Sequence, residues 1–314
     1  EAGLVEVAQE AVSDAQSIAV VKGHAYVAGL SGGLQIFNVS SPWAPEALAP
    51  LDLGSDVTAV AAGPPGYLVV GLSEGGIRVI DISDPSTPAS VGSLEGGDII
   101  RDIVVEGDLA VVGSDAPAAD TGSALFVSLA DPTSPELLGT HEMSDRVYGV
   151  EYVGGVAYIV SFSEIAAVDV ATDALLWTLS PESGANLKAD VSGDRLYVAR
   201  NDKGLAIYSL SDPTAPALLA EHPVDGYMRN VRVEGSVAYL ASKSLLSGVP
   251  FRVWDVTSAT EPVELAAYAH PGKSSEGLAV ADGYAYLGLI PSLVILDANC
   301  PQPLTCDAGG QCAP

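Results

Sequence analysis

An all-β chain built from seven copies of one unit is the fold class the sequence predicts, and three observations carry it. The first is a strand-and-turn signature, clearest at 76–88. There Ile77, Val79, Ile80 and Ile82 supply the β-branched residues that suit a pleated, half-buried surface. Ser83, Asp84 and Pro85 then stop the strand, because short polar side chains bond the local backbone and proline cannot donate to a ladder. The second is recurrence. The polar residue that ends this strand returns as Asn38, Asp81, Ser128, Asp169, Ser209, Asp255 and Asp297, at spacings of 40 to 47 residues. The third is that only strand and turn signals lie between these anchors, with no helical stretch of useful length. A period of about 40–45 residues filled by strands alone is that of a four-stranded propeller blade. Seven anchors therefore predict a seven-bladed β-propeller.

Within each unit the strands come in a fixed order. Two apolar strands joined by a glycine turn precede the anchor strand, as in 18–28 around Gly23, 231–241 around Gly235 and 278–287 around Gly283. The anchor strands are 34–39, 77–82, 125–129, 165–170, 205–210, 251–256 and 293–297. After the anchor comes Asp-Pro-x-x-Pro and a weaker outer strand, as at 135–141 and 216–222. Blades four and seven lack the Asp-Pro, so their turns are expected to differ. Blade seven also runs out after Asp297 without an outer strand. The missing strand lies at the other end of the chain: residues 3–12 precede Ser13-Asp14 as the other outer strands precede Ser55-Asp56 and Ser144-Asp145. The N-terminal strand is thus expected to close the last blade, which leaves no open seam in the ring. The domain division that follows is a propeller over 1–299 and a cysteine-containing tail over 300–314.

The repeated pattern Val-x-Val-x-Gly-x-x-Ala-Tyr-Val-Ala, then Gly-Leu/Ile-x-Ile/Val-x-Asp-Val-Ser-Asp-Pro-x-x-Pro, resembles that of the LVIVD-repeat β-propellers. The resemblance spans essentially 3–299, and it implies a secreted or cell-surface propeller without implying a chemistry. Trp254-Asp255 stands in one blade of seven, so the chain does not read as a WD40 protein.

Composition narrows the partners. Forty acidic against 13 basic residues give a formal charge of −27. Such a chain lacks the basic footprint that nucleic acid requires, and it is repelled by an anionic membrane surface. No apolar run is long enough for a transmembrane helix. The chain opens on Glu1 rather than Met, which raises the expectation of a processed N-terminus. All three cysteines, Cys300, Cys306 and Cys312, stand in the tail. A thiol-free propeller suits an oxidising compartment, so a secreted or cell-surface location is expected. The tail resembles the start of a disulfide-rich module, in which three cysteines permit one bridge and leave one over. Their five-residue gaps without a nearby histidine are poor zinc spacing.

Catalytic chemistry finds little support in the motifs. His141 and His222 are repeat equivalents, and no Gly-x-Ser-x-Gly elbow or calcium loop occurs. Asp84, Asp131 and Asp212 read as turn residues. No catalytic residue, metal site or cofactor is assigned. One position is richer. Two residues before the first apolar residue of each innermost strand stand Gln16, Thr58, Arg101, Tyr148, Leu187, Arg229 and Glu276. The next position holds Ser17, Ala59, Asp102, Gly149, Lys188, Asn230 and Gly277. In a propeller these strand starts ring the channel mouth, beside two stretches read as long loops, 114–123 and 242–249. The ligand-binding candidates are therefore Arg101, Asp102, Tyr148, Lys188, Arg229, Asn230 and Glu276. The competing expectation is that the Arg-Asp pair ties blades together by bidentate contact. Three functional classes follow: a non-catalytic binding or assembly module with a protein or glycan partner, holding a small anionic or glycan ligand at the channel mouth; a purely structural, self-assembling subunit of an extracellular assembly; or an enzyme for a small anionic or sugar-like substrate. In the last, Glu276 and Asp102 would supply carboxylates and Tyr148 a proton.

Overall fold

The computed structural model describes residues 4–30, 33–182, 184–212, 214–243 and 248–298, and the backbone of 305–306 and 312–313. Seven four-stranded antiparallel sheets form the blades of a β-propeller, and there is no helix among the described residues. The innermost strands are Ser17–Val21, Val57–Ala62, Ile99–Glu106, Val147–Val153, Lys188–Ser192, Tyr227–Glu234 and Ser275–Ala281. Each runs by a tight turn into the second strand, then the anchor strand, then the outer one. The glycine turns do what their positions require: Gly23, Gly107 and Gly235 all have positive φ, the region that glycine enters without steric cost.

The ring closes through the N-terminus. Val5–Ala11 pairs antiparallel with Ser292–Asp297, with Val5 opposite Asp297 and Ala11 opposite Ser292. The outer strand of blade seven is therefore contributed from the opposite end of the chain. Apolar packing is organised between blades rather than within them. Tyr26, Leu34 and Ile36 of blade one meet Val57, Leu68 and Val70 of blade two, and the same arrangement continues around to Val27 and Phe37 against Tyr286 and Ile295 across the closure. Alternation in each strand puts one apolar face on each neighbouring blade, which is why the second and anchor strands are buried on both faces.

The Asp-Pro turns are held by their aspartates. Asp84, Asp131 and Asp212 each accept from the backbone N–H and the hydroxyl of Ser86, Thr133 and Thr214. These hydrogen bonds lower the pKa values of all three carboxyls. Blade four differs, as its sequence implies: Asp169 itself accepts from Thr172, three residues on, and makes the whole turn. His141 and His222 both reach the following blade, the first to Asp173 and the second donating to the Ala259 carbonyl.

One of the stretches read as loops is strand. In blade three, Leu109–Ala116 pairs with Thr121–Ser128 along its whole length, and Ser114 faces Ser123 with their hydroxyls 2.8 Å apart. The flanking strands follow it, with Ile99 opposite Asp115 and Met143 opposite Gly122, so the insertion lengthens the whole blade. In blade six, residues 244–247 lie outside the described residues. The same holds for the disulfide candidates: Cys300 is not described, and for Cys306 and Cys312 only the backbone register, which sets one opposite the other, is given.

Candidate functional site

The mouth of the channel is built by a repeated irregularity. In the innermost strands the register shifts between Val57 and Ala59, Ile100 and Asp102, Val147 and Gly149, and Met228 and Asn230. Blade seven shifts between Ser275 and Leu278. Each shift is a β-bulge at a counted position: Thr58, Arg101, Tyr148, Arg229 and Glu276. A bulge leaves one residue without a ladder partner and re-aims its side chain. Here it turns that side chain over the channel. All seven counted residues, together with Leu30 and Lys188, line one cavity of about 220 Å³.

The following position acts differently, as a clasp between blades. The Ser17 hydroxyl contacts the Val60 N–H and carbonyl. Asp102, which is 8% exposed, accepts from the Val150 N–H at 3.0 Å. Asn230 donates to the Glu276 carbonyl. Where the neighbouring backbone comes too close for a side chain, glycine replaces the clasp. A Cβ on Gly149 would lie 2.6 Å from the Leu187 carbonyl oxygen, and the Gly277 N–H donates to the Ala15 carbonyl.

The two mouth arginines have different surroundings. Arg101 donates through Nε and Nη2 to one oxygen of Asp115, at 3.0 and 2.7 Å, and Asp115 is completely buried. That partner lies in the same blade, on the extended hairpin, so the expected bidentate bridge between blades is not what Arg101 makes. The link between blades belongs to Asp102. The Lys188 ammonium stands 2.8 Å from the Asp102 carboxylate and donates to the Arg101 carbonyl at 3.1 Å. Burial pulls its pKa down, against the opposing pull of Asp102. Arg229 is held far more loosely. Its Nε lies 3.7 Å from Glu276 Oε1, beyond hydrogen-bond distance, and this buried atom has no acceptor among the described residues. Among the described residues, Glu276 Oε1 in turn accepts only from the Ser274 hydroxyl, at 3.2 Å. Tyr148 bonds Arg146, raising its pKa, and its ring lies 6.2 Å from that of Phe162.

Sequence reasoning missed three groups. Arg146 bonds Asp120 at 2.7 Å, on the tip of the hairpin read as a loop. Asp115 was hidden in the same stretch. Deeper in the channel, Glu151, Asp190 and Arg232 form a second ring on blades four, five and six. Glu151 Oε2 and Arg232 Nη1 are 3.9 Å apart, and Asp190 accepts from the Val233 N–H at 2.6 Å. Burial raises Glu151 to about 7, with Arg232 opposing the rise and Asp190 and Asp102 adding to it. The signal for this ring was present: each member stands three residues after a counted mouth position.

The fold and its mouth together define a β-propeller whose channel entrance is lined by one bulged residue from each of five blades and its equivalents in the other two. More narrowly, three of the blades carry the repeat described as LVIVD repeat, whose family model matches residues 13–47, 65–95 and 186–221, in blades one, two and five. No curated protein matches it in sequence. Among solved structures it is similar to a chain in a crystal structure of the mitotic checkpoint complex, with a TM-score of 0.78 at 11% identity, over 95% of this chain and 93% of that one. It is also similar to the computationally designed Ika8 protein, with a TM-score of 0.65 at 13% identity, over 94% and 99% of the two chains. At these identities the likeness is one of fold.

Proposed function

We propose that this propeller is a non-catalytic, extracellular or cell-surface binding module that holds a small anion at its channel mouth. One observation carries the reading: Arg229 faces the cavity with its guanidinium fork unengaged among the described residues, apart from the loose contact to Glu276. A planar fork of donors matches a carboxylate or sulfate oxygen pair. Low-dielectric walls strengthen such a charge, which is otherwise surrounded by a chain of net charge −27. Arg101 is less suited, because two of its five donors and its charge are committed to Asp115. The thiol-free propeller supports an oxidising location. Titration of acetate and sulfate into the protein, followed by NMR or calorimetry, tests the reading. Weak saturable binding that disappears in Arg229→Ala is expected. No binding of any small anion by the wild type would overturn it.

A further inference from the structure

The neighbour of Arg229 narrows the ligand. Glu276 lines the same cavity, is about as exposed as Arg229, and among the described residues uses only Oε1, on one serine hydroxyl. A carboxylate accepts about four hydrogen bonds, so most of its capacity is open. The mouth thus presents unengaged donors and unengaged acceptors side by side, without a hydrogen bond between them. A bare carboxylate on Arg229 would satisfy the donors and set a like charge beside Glu276. A ligand with hydroxyl groups next to its carboxylate satisfies both. An ammonium beside the carboxylate is the competing chemistry, since Glu276 would accept from it as well, and glycine is its probe in the test below. The space, about 220 Å³, lies below the ~300–1,000 Å³ of pockets for larger ligands and suits a single ring. Gln16, Thr58 and Tyr148 complete a polar wall.

Resting on the anion-binding reading above, we infer that the ligand is a sugar acid, a polyhydroxylated monocarboxylate, with its carboxylate on Arg229 and its hydroxyls donating to Glu276. The same chemistry is offered by a free hexuronate and by the terminal residue of an acidic glycan. Binding of glucuronate, glucose, acetate, glycine and an oligosaccharide ending in glucuronate should be measured on the full chain by calorimetry. Glucuronate is expected to bind about tenfold more tightly than either acetate or glucose, the ratio that one well-made hydrogen-bonded group gives. In Glu276→Gln the preference over acetate should fall to about twofold while acetate binding is retained. The backbone carbonyl of residue 276, which Asn230 holds, is untouched by that change, so an unaltered melting temperature is expected. Equal binding of oligosaccharide and free glucuronate supports a glycan terminus; rejection of the oligosaccharide alone supports the free sugar acid. If acetate equals glucuronate, or glycine exceeds it, while binding still depends on Arg229, the sugar-acid inference is overturned and the anion reading stands. Loss of all anion binding in the wild type overturns both.

Discussion

Arg101 and Arg229 occupy the same position of their blades, yet their surroundings make one a brace and leave the other as the proposed anion contact. Arg101 neutralises Asp115, whose side chain is completely buried. Removing one member of such a pair leaves an uncompensated charge. Because Arg101 is itself about one-third exposed and Arg146 stands 3.8 Å away, the cost is discounted. Arg101→Ala should lower stability by about 2 kcal/mol, read from denaturant midpoints. Arg229 has no comparable partner to strand. Arg229→Ala should leave the midpoint within about 0.5 kcal/mol of wild type while abolishing anion binding. Equal destabilisation by the two substitutions would contradict this division of roles.

Elements show why one count along the sequence found the mouth. The bulge falls where a strand enters the blade, so a side chain that alternation would point between blades is carried over the channel instead. Arg101, Tyr148, Arg229 and Glu276 were legible because that irregularity repeats with the blade. Asp115 and Asp120 were not, because the hairpin bearing them occurs in one blade and its Ala, Asp and Ser residues read as a loop. Nor was the looseness of Arg229 legible, since it depends on the 3.7 Å separation from Glu276 rather than on either residue type. The clasp position makes its own prediction. Asp102→Ala removes the acceptor of the Val150 N–H and the partner of Lys188 together. A loss of about 3 kcal/mol is expected from the stranded lysine and the unpaired N–H, whereas Ala59, the equivalent residue of blade two, should accept serine with little change. The tail adds a further expectation: one disulfide among Cys300, Cys306 and Cys312. Intact mass with and without alkylation should count one free thiol in unreduced protein, and reduction should leave the melting temperature of the propeller unaltered, because the bridge closes a short loop outside it.

At the scale of the molecule, two sets of carboxyl groups give opposite pH responses. Asp84, Asp131 and Asp212 have pKa values lowered by their turn hydrogen bonds, so their contribution is present above the ordinary aspartate range and is lost as the pH falls through the lowered values. Glu151 is raised by burial from 4.5 to about 7, and Asp190 is raised for the same reason. Between those values the folded state binds more protons at Glu151 than the unfolded state does. Stability therefore falls as the pH rises from about 4.5 to about 7. Melting temperatures across this window should decline less steeply in Glu151→Gln than in wild type. Parallel slopes would show that Glu151 does not carry the effect. Closure makes a separate prediction. Deleting residues 1–12 removes the strand opposite Ser292–Asp297 and exposes a sheet edge. The truncated protein should melt lower and elute as larger species by size-exclusion chromatography.

The same pairing has a bearing on how the protein is made. Val5 leaves the ribosome long before its partner Asp297, the last residue of the blade-seven anchor strand. Translation proceeds at roughly 5–20 residues per second, so the opening strand spends tens of seconds without its partner. During that interval blades one to six can form in order, each packing against the one before. The ring itself can close only after synthesis has passed Asp297. A chain stalled before that point can have every completed blade in place and still carries Val5–Ala11 unpaired, which makes synthesis through Asp297 a physical condition for the closed ring.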